Sequence, residues 1–215
     1  MTRYGMAINL DRCVGCHACS TACAVHHGLP KGVRWSGVRE LTEGTYPDLA
    51  TMFLPTLCMQ CSKPLCVAAC TQGASFIGDE GVVEIDRSKC TGCGMCVAAC
   101  PYQARTVVNG VSSNHDGDDL TAYEKQVFPA HADKIAEKCT FCSDCREQGE
   151  DPWCVRTCVS SARVFGDLDD PDSEVAKLAT ADNVRVLLES EGTNPAVFYL
   201  STSSIAVDDA FFAQA

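Results

Sequence analysis

The chain has 215 residues, 17 of them cysteine, and its 17 Lys+Arg against 28 Asp+Glu leave a formal charge of −11. That acidic balance argues against a surface built to bind nucleic-acid phosphates. Apolar runs such as Ala196-Val197-Phe198-Tyr199-Leu200 fall far short of the about 20 residues that cross a bilayer, and the length fits one or two small domains.

In chain order, Met1-Thr2-Arg3-Tyr4 runs into a cysteine motif with no room for a signal peptide and no twin-arginine pair. On that ground a cytoplasmic location is expected. Ala7–Arg12 alternates apolar and polar residues and predicts a strand. The first motif, Cys13-x2-Cys16-x2-Cys19-x3-Cys23, ends in a stretch suited to a short helix. Residues 24–57 hold Gly28, Pro30, Gly32, Gly37, Gly44 and Pro47 and few helical patterns, which reads as an insertion covering a site or meeting a partner. Cys58-x2-Cys61-x4-Cys66-x3-Cys70 follows, then a strand over Val83–Arg87, then Cys90-x2-Cys93-x2-Cys96-x3-Cys100-Pro101. Val111–Asp119 reads as an acidic surface loop whose spacing does not match an EF-hand calcium site. The fourth motif is Cys139-x2-Cys142-x11-Cys154-x3-Cys158. Beyond it, Pro171-Asp172-Ser173-Glu174 starts a helix over Val175–Thr180 with Ser173 or Asp172 as N-cap, and Val184–Glu189 and Ala196–Leu200 predict strands. Ala210-Phe211-Phe212-Ala213 reads either as a partner contact or as a packed end.

Disulfides, zinc and iron–sulfur clusters compete for the cysteines. Disulfides go with an even count and a secretory signal, and neither is present. Structural zinc takes thiolates as separated Cys-x2-Cys pairs, whereas the first and third motifs are triples followed by a three-residue gap. That is the bacterial ferredoxin spacing for [4Fe–4S] ligation. A triple reaches three iron corners of a cube from one loop, and Gly15, Gly92 and Gly94 permit the close backbone approach. The pentapeptide Cys66-Val67-Ala68-Ala69-Cys70 recurs as Cys96-Val97-Ala98-Ala99-Cys100, with Cys154-Val155-Arg156-Thr157-Cys158 a variant. The repeating unit is strand, cluster loop, helix.

In two-cluster ferredoxins the fourth Cys of each run ligates the other cluster. The same exchange here places Cys58, Cys61, Cys66 and Cys100 on one cube and Cys90, Cys93, Cys96 and Cys70 on its neighbour. Cys13, Cys16, Cys19 and Cys158 share a third, and Cys139, Cys142, Cys154 and Cys23 the fourth. The expected fold is α+β: a duplicated bacterial-ferredoxin-like domain with two dicluster units, loop insertions and a C-terminal extension. Residues 1–23 and 136–166 form one discontinuous unit and 58–110 the other, with 24–57 a partner-facing insertion, 111–135 an acidic linker and 167–215 the extension.

The sequence resembles the four-cluster electron-transfer subunits of molybdenum- or tungsten-bis-pterin oxidoreductases, the small subunits of dimethyl sulfoxide, polysulfide, thiosulfate and arsenate reductases. The resemblance covers roughly residues 4–200 and, beside the cysteines, includes Trp35, Gly44-Thr45-Tyr46-Pro47, Leu57-Cys58-Met59-Gln60-Cys61, Tyr123-Glu124-Lys125, Glu137-Lys138-Cys139-Thr140-Phe141-Cys142, Pro152-x-Cys154 and Phe165-Gly166-Asp167-Leu168. The stretch from Gly44 to Cys61 looks closest to the polysulfide and arsenate type. Pro after the last Cys stands only at Pro101; Thr71 and Val159 take the equivalent places. Some relatives carry Trp in the third motif and a three-iron cluster; here Cys93 is present, so four cubanes are expected.

The resemblance implies a subunit without substrate chemistry. It wires a large pterin-bearing catalytic subunit to a membrane quinone subunit or a soluble donor, and is membrane-associated through those partners. It also allows export as a folded complex on a twin-arginine signal of the catalytic partner. The competing readings are a free-standing polyferredoxin and a zinc-organised scaffold. Cys139-x2-Cys142-x2-Cys145 mimics a triple in which Cys145 would replace Cys154, but Pro152-x-Cys154-x3-Cys158 matches the family, so Cys145 is taken as a non-ligating thiol and Cys154 as the third ligand. His17 reads as an exposed loop residue, and His26 and His27 either cap the first helix or contact a quinone. Each oxidised cube with four thiolates carries roughly −2, so Arg12, Lys63, Lys89, Lys138, Arg146 and Arg156, which flank cysteines, are expected to offset that charge.

Overall fold

The computed structural model describes residues 2–115, 119–131 and 134–202. The central strand is β1 (Tyr4–Asn9), whose interior residues are buried on both faces. It lies between β8 (Arg163–Asp167), antiparallel to it, and β10 (Val197–Leu200), parallel to it, with Met6 opposite both Phe165 and Val197. A two-residue edge strand, β9 (Val184–Arg185), completes the order β8-β1-β10-β9.

The strand expected over Ala7–Arg12 starts and stops three residues earlier. The Asn9 side chain accepts from the Arg12 amide and turns the chain into a 3-10 segment, Leu10–Arg12, that delivers Cys13. The strand expected over Val184–Glu189 is likewise short, because Leu187 turns into the core.

Residues 36–57 fold as a hairpin, β2 (Ser36–Thr45) with β3 (Asp48–Leu57), paired in register from Ser36↔Leu57 to Thr45↔Asp48. Its base is buried through Met52, Leu54 and Leu57, while Tyr46 at its tip is 88% exposed. Phe53 crosses the first cysteine loop: Gly15 has φ +65°, and a Cβ there would meet the Phe53 ring at 2.5 Å, so glycine is required on both counts.

The cysteine helices are short. They are α1 (Ala18–His27), α2 (Leu65–Ala68), α3 (Met95–Ala98), α5 (Ser143–Glu147) and α6 (Trp153–Arg156). Helix α1 packs against α6, and α2 against α3. Two-stranded sheets flank the second pair: β4 (Ser75–Ile77) with β5 (Val83–Ile85), and β6 (Thr106–Val108) with β7 (Ile135–Glu137). Helix α4 (Ala122–Val127) begins at a capping box between Thr121 and Glu124. Helix α7 (Glu174–Ala179) is capped by Ser173, whose Oγ accepts from the Ala176 amide at 3.1 Å, and seats Val175 against Ala7 and Leu200.

The first part of the acidic loop is anchored rather than free. Ser113 is buried and its hydroxyl donates to Glu124, and Asn114 Nδ2 donates to the Leu29 carbonyl. The aromatic pair Phe211-Phe212 lies outside the described residues.

Four-residue helices bury little apolar surface of their own. Cysteines 19, 58, 61, 139 and 154 accordingly sit inside the main core with Met6, Ile8, Leu54, Met59, Phe141 and Tyr199. No helix among the described residues is long and apolar enough to cross a membrane.

Candidate metal centres

The cysteines that the ferredoxin exchange groups together are neighbours in space. Cys13, Cys16, Cys19 and Cys158 line one cavity, which reaches Arg163. Cys70, Cys90, Cys93 and Cys96 line another, beside Met95 and Ala136. Cys23 faces Cys139, Cys142 and Cys154; burial first, and then those thiols, raise its pKa. Cys61 is pushed up to about 12 by burial, with Cys58, Cys66 and Cys100 adding to the rise against a hydrogen bond from Thr193. Cys23 lies in α1 and Cys154 in α6, while Cys66 lies in α2 and Cys100 follows α3 by two residues.

The sets form a row. Cys139, fully enclosed, is pushed up to about 12 by burial and by Cys154, and Cys58 of the neighbouring set also contributes. The two inner sets therefore meet through Cys139 and Cys58. Burial follows the row: Cys23, Cys139, Cys142 and Cys154 are buried, as are Cys58, Cys61 and Cys66, whereas Cys16 and Cys93 in the outer sets are exposed. Val14 (58% exposed) and Val159 (73%) sit beside one outer set, and Met95 (52%) beside the other.

Donors already aim at the sulfurs. The Ala162 amide donates to Cys158 Sγ at 3.2 Å, Ser75 to Cys70 at 3.4 Å, Phe141 to Cys139 at 3.4 Å and Ala136 to Cys90 at 3.5 Å. For Cys158 burial pulls the pKa upward, but the amides of Ala162, Ser160 and Arg163 and the Ser160 hydroxyl outweigh it, and the net shift is downward. Gly92 (φ +64°) brings its loop so close to Lys134 O that a Cβ would collide with it.

Buried cations also converge here. Arg163, 4% exposed, donates from Nη2 to Cys19 Sγ at 3.4 Å and has Cys154 as a second hydrogen-bond partner. Arg105, equally buried, donates from Nη1 to Ser75 Oγ at 2.8 Å and lies against Cys66 and Cys96. Its Nε and Nη2 atoms are enclosed without a conventional partner. Lys138, 2% exposed, donates to the Cys139 carbonyl at 2.9 Å and acts on both Cys139 and Cys66. Sequence reasoning singled out Lys138 but missed both arginines. The signal was available: each arginine stands five residues past the last Cys of a motif, after Ala104 or Ala162.

The remaining flanking cations are paired with carboxylates or lie outside. Arg146 pairs with Glu80 and stacks on Tyr4, Arg156 pairs with Glu150 over Trp153, and Lys89 pairs with Asp86. Arg12 and Lys63 are exposed.

Neither His26 nor His27 caps α1; Gly28 does, in the left-handed conformation, with its amide reaching Ala24 O and Val25 O. His26 Nε2 lies 2.6 Å from Asp144, and His27 Nε2 lies 3.4 Å from Cys142 Sγ with its ring against Trp35. His17 is exposed. Cys145 is buried, its Sγ 3.9 Å from His26 Nε2 and 4.0 Å from Asp144.

A [4Fe–4S] cluster fits these residues. Four thiols gathered in one place cannot all ionise while burial opposes charge, unless iron binds them. The amide hydrogens and the orphaned Arg105 nitrogens are donors suited to an anionic cluster. Thiols gathered into such sets make this an iron–sulfur protein.

Comparison with known proteins narrows the class. The model of the 4Fe-4S dicluster domain matches residues 49–115 and 120–168. The iron-sulfur subunit of a dimethyl sulfoxide reductase assigned in Halobacterium salinarum is 39% identical over 94% of this chain and 80% of its own length. A selenate reductase subunit of Mesobacillus selenatarsenatis is 38% identical over 91% and 71%. The arsenate respiratory reductase iron-sulfur subunit of a Shewanella species is 35% identical over 94% and 98%. The chain belongs to this 4Fe-4S dicluster family of reductase iron–sulfur subunits, and its work is electron transfer.

Proposed function

We propose that the chain carries four [4Fe–4S] clusters and does no substrate chemistry, relaying electrons between a large molybdenum- or tungsten-bis-pterin catalytic subunit and a membrane quinone subunit or a soluble donor. The ligands are Cys13, Cys16, Cys19 and Cys158; Cys139, Cys142, Cys154 and Cys23; Cys58, Cys61, Cys66 and Cys100; and Cys90, Cys93, Cys96 and Cys70. Residues 1–23 with 136–166 and residues 58–110 are the two ferredoxin-like units of a duplicated fold, with 24–57 turned to a partner, 111–135 linking and 167–215 extending the first unit. The complex is membrane-associated through its other subunits.

The observation that carries this reading is the burial profile of the row. Its two inner sets are enclosed apart from half-buried Cys100, and its two outer sets each have an exposed cysteine beside exposed apolar residues. A one-electron carrier needs such a layout: an insulated middle, and an accessible end for each partner. The clusters, when bound, supply the one-electron chemistry; the protein supplies thiolates, amide donors and exclusion of water.

The test is elemental analysis of the native complex purified without oxygen. About 16 iron per chain, with molybdenum or tungsten in a large co-purifying subunit, is expected. The same iron with no partner would establish a free-standing carrier, and zinc in place of iron would overturn the reading.

A further inference from the structure

We propose that Arg163, Lys138 and Arg105 are the potential-setting charges of the electron path, one fixed in each gap between successive thiol sets. The proposal rests on the four-cluster reading above.

Each cation is buried at its gap, and its charge acts on thiols of the sets on both sides. Arg163 bonds Cys19 of the first set and Cys154 of the second, and its charge also acts on Cys13 and Cys23. Lys138 acts on Cys139 of the second set and Cys66 of the third, at the place where Cys139 and Cys58 face one another. Arg105 donates to Ser75, whose amide donates to Cys70 of the fourth set, and its charge acts on Cys66 of the third set and Cys96 of the fourth.

The two arginines are related by the internal repeat. Arg105 follows Cys100, and Arg163 follows Cys158, at the same interval and in the same Ala-Arg context. At the matching place after Cys70 stands Ser75, again preceded by Ala, and its hydroxyl accepts from Arg105. The repeat therefore places one arginine per cluster pair, with Ser75 and the helix-capping Gly28 at the sister positions.

These three buried cations have no carboxylate partner among the described residues, unlike buried Arg146. Arg87, Arg146 and Arg156 are matched to Glu137, Glu80 and Glu150. Arg163 instead has Cys19, Cys154, Ser36 and Met6 around it, Lys138 a carbonyl, and Arg105 a serine and thiols with two orphaned nitrogens. An unpaired buried charge is costly, so the balancing anion for each is the pair of iron-thiolate sets it separates.

An electron arriving on either side adds negative charge next to the same cation, in an environment that screens poorly. Such a charge raises both neighbouring potentials together and keeps the step between them small. The transfer moves one electron and no proton or bond, so a fixed charge acts on it only through energy. The electron itself comes from the donor partner at one end and leaves to the acceptor at the other.

The experiment is a redox titration of the intact complex followed by electron paramagnetic resonance, with iron counted in every sample. Each position is changed twice, once removing the charge (Arg163→Gln, Lys138→Gln, Arg105→Gln) and once keeping it (Arg163→Lys, Lys138→Arg, Arg105→Lys). The expected result at full iron is that each Gln variant lowers the two potentials flanking its gap and leaves the other two in place, while its charged counterpart stays near the wild type. A shift confined to one cluster, no shift, or equal shifts in the Gln and charged variants would overturn the proposal. Where a Gln variant loses iron, the charged variant decides: full iron with unmoved potentials supports the proposal, and displaced potentials refute it. Fewer than four cluster signals in the wild-type complex would instead defeat the four-cluster reading, and the proposal with it.

Discussion

His27 Nε2 lies 3.4 Å from the sulfur of Cys142. Burial pushes the imidazole down to about 4, with neighbouring His26 adding to the effect, so the ring is neutral at physiological pH. An iron-bound thiolate offers only lone pairs, so the neutral ring must donate from Nε2. Trp35, with its ring centre 4.6 Å away, holds the imidazole in place.

Replacing His27 by Phe keeps the packing and removes that donor. A hydrogen bond to sulfur favours the reduced, more negative state. A loss of about 1 kcal/mol of that preference corresponds to a fall of roughly 40 mV for one electron. The potential of the cluster held by Cys139, Cys142, Cys154 and Cys23 should drop by about that much in His27→Phe, with the outermost cluster of Cys70, Cys90, Cys93 and Cys96 unmoved.

Cys145 and Cys154 should behave oppositely. Cys145 points its sulfur at His26 and Asp144 and neighbours Cys142 alone of its set, whereas Cys154 is enclosed beside Arg163 and neighbours both Cys139 and Cys142. Cys145→Ser should retain the full iron content and all cluster signals. Cys154→Ser should lose one cluster, about 4 iron per chain, read by elemental analysis and spectroscopy. Iron loss in Cys145→Ser would show that the local triple Cys139, Cys142, Cys145 is the one in use.

These sites were legible to different depths, for physical reasons. Cluster ligation is written locally, because a cube's corners must be reached from one loop. The spacing around Cys90, Cys93 and Cys96 therefore named its chemistry, whereas the exchange through Cys70, Cys100, Cys23 and Cys158 joins cysteines far apart in the chain and is carried by no local pattern. The hairpin over Ser36–Leu57 was missed: its glycines and prolines read as loop, and an exposed ribbon tip has no core to impose alternation. The pairing of Val197–Leu200 with the first strand is a contact across nearly the whole chain, and no local pattern announces it. Arg105 and Arg163 stand five residues past the nearest motif cysteine, so sequence adjacency does not mark them, while burial selects the cations that fold back onto the thiols.

The joint between the last strand and the hairpin can be tested at Tyr199. Its ring is buried, and its hydroxyl donates to the Pro55 carbonyl at 2.8 Å. Tyr199→Phe removes one buried hydrogen bond, worth about 1 kcal/mol, and should lower the melting temperature of the cluster-loaded protein by about 2–4 °C. Tyr199→Ala also empties a core volume and should cost about 3–5 kcal/mol. Equal melting temperatures for Tyr199→Phe and wild type would show that the bond contributes nothing.

His131 provides a pH test at a buried ion pair. It is buried, with Nδ1 2.8 Å from Glu137 and Nε2 2.9 Å from the His27 carbonyl. Burial alone would depress its pKa, and Arg87 acts in the same direction. The hydrogen bonds and the Glu137 charge outweigh both, and the net shift is upward from 6.5. A histidine whose folded pKa is raised stabilises the fold fully below its unfolded pKa, and that contribution is lost as pH rises through the folded value. The melting temperature of the wild type should therefore exceed that of His131→Gln by the largest margin below about pH 6.5, with the margin shrinking as the pH is raised beyond it. Measured from pH 6 to 9 in one ionic strength, a margin that stays constant would mean that His131 contributes as a neutral ring, and a margin that grows with pH would reverse the assigned shift.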